Sequence, residues 1–239
     1  MKEKLRRLYK SISYSYPSIG FLIKRLILKK PFNSIKRKIR GNNNTLLIER
    51  SILSSVTFDI SGDNNFIKIS DNCLLSNVVF YIRGDGHSIL LDSGCRFNRG
   101  GNIWFEDNNC SLQIGGNSTF EDVHLALTEP NSKITIGKDC MFAYDIDVRT
   151  GDSHSIISQE GNERINYAEN VTIGDHVWVA SHSILLKGSI IPDDSVVATG
   201  SVVTKKYDTK GIIIGGNPAK KIKEGITWSR ERIYKGIPK

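Results

Sequence analysis

The stretch from Arg149 to Ile156, RTGDSHSI, holds the residues best suited to chemistry. An imidazole can be neutral near physiological pH, so His154 is the side chain able to take a proton from a substrate hydroxyl. Asp145, Asp147 and Asp152 stand close by in the chain. A carboxylate bonded to one ring nitrogen would fix the tautomer and aim the other nitrogen at a substrate, and spacing does not say which of the three does so. The four cysteines, Cys73, Cys95, Cys110 and Cys140, have no C-x-x-C spacing for zinc or redox work.

The elements that must position His154 are turns of a repeat. Four turn-like tetrads, GDNN at 62, GDGH at 84, EDNN at 106 and EPNS at 129, recur at steps of 22, 22 and 23 residues. The apolar residues that follow them, Ile69, Leu91, Ile114 and Ile136, step by 22, 23 and 22, so the whole unit repeats, which is the signature of a solenoid. Further on, Ile173, Val179, Leu185, Ile191, Val197 and Val203 are spaced at six. Six fits neither the 3.6 of a helix nor the 2 of a single strand, so it describes one flat side of a polygonal coil, three sides to an 18-residue turn. The first residue of each hexad points inward and the fifth fills a corner where only a small side chain fits. Cys73, Cys95, Ser118 and Cys140 hold that fifth place, as do Ser183, Ser189, Ser195 and Ser201.

The register breaks at His154. Ile136, Phe142 and Val148 run in hexad step, yet the clean pattern resumes only at Ile173, 37 residues after Ile136. One 18-residue turn accounts for part of that gap, and the remainder must leave the solenoid as a loop over about residues 152–170. A long excursion in an economical repeat points to function.

Charge is uneven. Residues 1–40 hold 13 Lys and Arg against the single acid Glu3, whereas the rest of the chain carries 20 against 24. A basic segment on a mildly acidic body, with no accompanying motif, argues against nucleic acid as a partner. SIGFLIKRLILKK is interrupted by Lys24 and Arg25 and is far short of the roughly 20 apolar residues of a membrane span. No signal-peptide pattern follows, so a cytoplasmic protein is expected, with 1–40 read as basic helical segments suited to peripheral contact with the inner membrane face.

IGDHVWVASHSILLKGSIIPDDSVVATGSVVTKK, followed by GGNPAKKIK, resembles the hexapeptide-repeat acyltransferases, and DSHSI with RIN and VTIGDHVWVA resembles their branch that O-acetylates bacterial surface polysaccharides, including sialic-acid capsules. The resemblance implies an all-β fold, a left-handed parallel β-helix over 41–210, after the N-terminal segment 1–40 and before an exit segment 211–239. It implies an acetyl-CoA-dependent transfer of acetyl to a sugar hydroxyl of a capsule or lipopolysaccharide, with no metal, in a homotrimer whose active sites lie between subunits. His154 falls on the family's general base, with Asp152 beside it, and Trp178 on the tryptophan near the acyl thioester. Ala180 falls on the small residue whose N–H faces the thioester carbonyl. Coenzyme A would run along Trp178 to Lys187, Thr199, Gly200 and Ser201, and on to Lys205, Lys206, Asn217, Pro218, Lys220 and Lys221, where lysines suit phosphate.

Three other activities share such a solenoid. An N-acetyltransferase of a nucleotide-linked amino sugar uses the same fold and co-substrate. A metal hydratase needs converging histidines, but His87, His124, His154, His176 and His182 include no pair five apart; His176 and His182 are six apart and so lie on successive sides. A silent scaffold would not need the loop. For the glycan acceptor the candidates are Arg83, Asp85, His87, Trp104, Glu106 and His124, on or near the edge loops of the 22-residue turns, with Trp104 able to stack on a sugar ring.

Overall fold

The computed structural model describes residues 34–234. They form a parallel β-solenoid of triangular section, with three sheets as its faces. Face A has eight strands, from Ile35–Arg40 to Val202–Val203. Face B has seven, from Thr45–Ile48 to Ile190–Ile191. Face C has nine, from Ile52–Ser54 to the exit strands Ile213–Gly216 and Ala219–Lys223.

The inward residues stack in register through the whole axis. On face A the ladder is Phe58, Phe80, Ile103, Leu125, Val148, Leu185 and Val203, all fully buried. On face C, Phe97, Phe120 and Phe142 stack at 4.5 and 4.8 Å between ring centroids. Phenylalanines fill the wider 22-residue turns, and valine, leucine and isoleucine fill the narrower 18-residue turns, so side-chain size follows the section of the coil. Each such side chain contributes roughly 1.5–3 kcal/mol by leaving water. The corner residues Cys73, Cys95, Ser118 and Cys140 are fully buried, and so are Ser183, Ser189, Ser195 and Ser201. All four cysteines are free thiols.

Two expected boundaries are corrected. Residues 35–40, placed in a helical N-terminal segment, are a strand that pairs with Val56–Ser61 from Ile35 to Arg40. Joining the solenoid satisfies their backbone and buries the inward edge of Ile35, while Lys36, Lys38 and Arg40 point outward. Residues 1–33, which carry the rest of the helical and membrane-contact expectation, lie outside the described residues. At the other end the β-structure runs past 210: Ile213–Gly216 pairs with Val196–Val197, and Ala219–Lys223 folds back antiparallel to close the end of the coil.

His87 is also corrected. It is 1% exposed, not a surface reader of acceptor. Its Nδ1 accepts the Cys110 N–H at 3.2 Å and its Nε2–H donates to the Arg83 carbonyl at 3.1 Å, so the neutral ring satisfies both neighbours. Burial pushes its pKa below the usual histidine value. The unfolded chain therefore binds a proton as pH falls past about 6.5 while the folded chain does not, and stability declines across that window. Denaturant midpoints measured from about pH 7.5 down to about pH 5 should fall in the wild type, and His87→Gln should flatten that slope.

Candidate active site

Val148 pairs with Leu185, whereas Leu185 pairs with Val203 only one 18-residue turn later, so the excursion opens directly from the end of Ile146–Arg149 on face A. It folds as a small hairpin. Ile157 bridges Arg164, Ile165 N–H donates to the Ile156 carbonyl at 2.9 Å, and Ser158 N–H donates to the Glu163 carbonyl at 2.8 Å.

Asn166 pins the hairpin to its base. Its Nδ2 donates to Asp152 Oδ2 at 2.9 Å and to the His154 carbonyl at 2.8 Å, and its Oδ1 accepts from Ile156 N–H at 2.7 Å and Arg164 Nε at 3.2 Å. The residue is 7% exposed, and both polar atoms of its side chain are spent within the loop and its base. Arg164 ties the same hairpin to Glu129 on the preceding turn. Nothing in the spacing of Asn166 separates it from the other polar loop residues, so the chain alone does not single it out.

Asp152 is not the partner of the His154 ring. Its Oδ2 takes hydrogen bonds from Lys187 and Asn166. Partial burial works against the charged form, but the bonds from Lys187 and Asn166 and the Lys187 charge outweigh it and hold the carboxylate below its usual range. Asp152 therefore anchors the loop base as an anion. Lys187, expected along coenzyme A, is turned to this anchor instead and also donates to the Asn166 carbonyl at 3.0 Å. Asp145 bonds His182 Nδ1 at 2.8 Å, and Asp147 is shared by Arg149 and His124. The His154 side chain is exposed, and its ring makes no hydrogen bond among the described residues.

Trp178 points outward from face C, in register with Met141 and Val196. The chain after residue 224 returns along this face. Trp228 stacks on His176 at 4.3 Å, its Nε1–H donates to the His176 carbonyl at 2.7 Å, and its ring lies 6.1 Å from Trp178. Arg230 fixes the return by bonding Thr119 Oγ1 at 2.8 Å and the Cys140 carbonyl at 2.9 Å. His176 is thus a docking group for the tail, bonded on Nδ1 to Asp139 at 2.8 Å. Among the described residues no group of three or more His, Cys, Asp or Glu side chains could hold a metal ion.

The expected cofactor positions divide. Lys205, Lys206 and Lys221 line one open groove of about 640 Å³ with Ile190, Pro192, Tyr207 and Ile212. Lys220, Asn217, Pro218, Thr199 and Gly200 are exposed near that end of the coil. Ser201 is fully buried, with its hydroxyl donated inward to the Ala198 carbonyl at 2.5 Å. The Ala180 N–H is likewise committed, to the Val197 carbonyl at 2.9 Å, which removes it as a free donor to a thioester oxygen.

No family model matches the chain. Over 102 residues it is 41% identical to the polysialic acid O-acetyltransferase of Neisseria meningitidis, a stretch that spans 43% of this chain and 47% of that protein. Over 97 residues it is 43% identical to the polysialic acid O-acetyltransferase of Escherichia coli, spanning 41% of this chain and 31% of that one. The matched sequence is thus about half the length of these relatives or less. The fold extends the match: the solved polysialic acid O-acetyltransferase OatWY superposes with a TM-score of 0.75 at 30% identity, over 86% of this chain and 95% of that one. The chain belongs to the polysialic acid O-acetyltransferase family. NeuO, solved as a polySia-specific acetyltransferase, gives the same TM-score of 0.75 at 26% identity over 93% of its chain. Membership in this branch of the hexapeptide-repeat acyltransferases makes the solenoid a left-handed parallel β-helix.

Within this family fold His154 and Trp178 occupy different sides of the prism. His154 leaves the edge between faces A and B, while Trp178 stands on face C.

Proposed function

We propose that this protein is an acetyl-CoA-dependent O-acetyltransferase that acetylates a sugar hydroxyl of a bacterial surface polysaccharide. The observation that carries the proposal is His154: an exposed imidazole at the base of a loop that Asp152, Asn166 and Lys187 hold in place. Relatives that resemble the chain in sequence and fold transfer acetyl to polysialic acid, as their names state.

His154 takes the proton of the attacking hydroxyl and holds it as imidazolium, ready to return it to the departing sulfur. The acetyl thioester supplies an activated carbonyl with a good leaving group. The ionised Asp152 holds the loop, with Asn166 as the joint between them. Trp178, supported by Trp228, offers a flat apolar wall for the acyl arm. Lys205, Lys206 and Lys221 are suited to phosphates as point charges on a groove with an apolar floor.

Because His154 and Trp178 lie on different sides of one prism, a site that uses both is completed by a second copy. We take the assembly to be a homotrimer with its sites between subunits. The hairpin supports this, since it presents Ile156, Ile157, Ile165 and Tyr167, each about half exposed, on the loop that would reach a neighbour. Residues 1–33, with nine Lys and Arg against the single acid Glu3, fit a cytoplasmic enzyme held at the inner membrane face.

Calorimetric titration with acetyl-CoA tests the co-substrate groove. Micromolar binding by the wild type, weakened tenfold or more by Lys206→Gln combined with Lys221→Gln, is the expected result. A folded protein that binds no acetyl-CoA would instead be a scaffold.

A further inference from the structure

Face A carries a column of side chains that the acetyl-transfer chemistry leaves unused. From the first strand upward it reads Lys38, Asp59, Tyr81, Trp104, Ala126 and Arg149, each in register with the next. Arg83 lies 3.8 Å over the Tyr81 ring, and it also donates to Asp59 Oδ1 at 3.0 Å. Tyr81 stacks on Trp104 with centroids 3.9 Å apart and planes 21° from parallel. Between the indole and Arg149 stands Ala126, which is only 7% exposed, so neighbouring side chains close over that rung. Two strand spacings, about 10 Å, separate those two groups.

The charge on this face suits an anion. Asp59 is held by Lys38 and Arg83, and Asp147 by Arg149 and His124, so these two acids are neutralised internally. Lys36 and Arg40 stand exposed at the lower end of the face and make no ion pair among the described residues. At the upper end Arg149 uses only part of its donor fork on Asp147, and three residues further the chain reaches Asp152 and then His154. The stretch from the first strand to Ile146–Arg149 is five strand spacings, about 24 Å, enough for several sugar residues.

We propose that face A is the acceptor track: an acidic polysaccharide lies along it, one sugar ring set against the part-exposed Tyr81 and Trp104 pair, its carboxylates met by Arg149 and by the Lys36 and Arg40 end, and its upper end directed at His154. This rests on the acetyltransferase reading for the destination of the chain but not for the binding itself.

The test is binding of size-defined oligosialic acid in the absence of acetyl-CoA. Trp104→Ala should weaken it at least tenfold, and Trp104→Phe should keep most of it, because a stacking ring remains. Lys36→Gln with Arg40→Gln should weaken it and reduce its salt dependence. Acetyl-CoA affinity, measured in parallel, should not move in any of these variants. Wild-type binding by Trp104→Ala overturns the proposal, as does equal binding of a neutral dextran oligomer by the wild type. Dissociation of the assembly in light scattering on Trp104→Ala also overturns it, since the face would then belong to a second copy. Oligosaccharide binding that depends on Trp104 in a protein with no affinity for acetyl-CoA would sustain the track and remove the acetyltransferase reading, so the two failures are distinguishable.

Discussion

Replacing His154 with alanine is expected to lower acetyl transfer by roughly 10²- to 10⁴-fold, the range over which a positioned general base acts. The imidazole is exposed and makes no side-chain hydrogen bond among the described residues, so its removal leaves the loop contacts intact. Those contacts run through the His154 carbonyl and the side chains of Asp152, Asn166 and Lys187, all of which alanine preserves. Melting temperature and acetyl-CoA affinity should therefore match the wild type while turnover collapses. Near wild-type turnover in the variant would remove His154 from the mechanism.

Asn166→Ala should be the next most damaging change, lowering kcat by about 10²-fold, the cost of displacing a reacting group by about an ångström. One substitution removes two bonds that Asn166 donates, to Asp152 and to the His154 carbonyl, and two that it accepts, from Ile156 and Arg164. Asp152 and Lys187 remain paired, but the loop base bearing His154 loses its link to the far side of the hairpin. Because the hairpin lies outside the stacked core, global stability should change little. Asn166→Asp should not rescue activity, since a carboxylate cannot donate and would face Asp152. A kcat loss with an unchanged acetyl-CoA KM, in both variants, separates a positioning role from general unfolding. Unaltered kcat would show that the loop base holds without it.

Much of the solenoid was open to inspection in the chain. Hexad spacing from Ile173 to Val203 and the 22-residue step from Ile69 to Ile136 both survive as buried ladders, because each inward residue must meet its counterpart one turn away. The corner cysteines and serines were legible for a similar reason: a sharp bend admits only small side chains. The strand at Ile35–Arg40 was not, since a short run with four cations has no apolar alternation strong enough to outweigh its charge, and only pairing with Val56–Ser61 makes it a strand.

The site divides along the same line. A break in a strict period placed the loop and singled out His154, because local spacing alone governs where a repeat can and cannot continue, whereas Trp178 stood out only through the resemblance to the acyltransferases. The partners of each polar group depend on which turns become neighbours. Lys187 lies 35 residues from Asp152, and Arg164 lies 35 from Glu129, and both pairs meet only because successive coils stack. The commitment of the Ala180 N–H to Val197, the return of Trp228 to His176, and the Tyr81, Trp104 and Arg149 column are decisions of the same kind. Periodicity along the chain determined the solenoid and its interruption, whereas contacts between turns decided which side chains hold, which act and which remain open to a ligand, since hydrogen bonds and ring stacking form across a few ångströms of space regardless of separation in sequence.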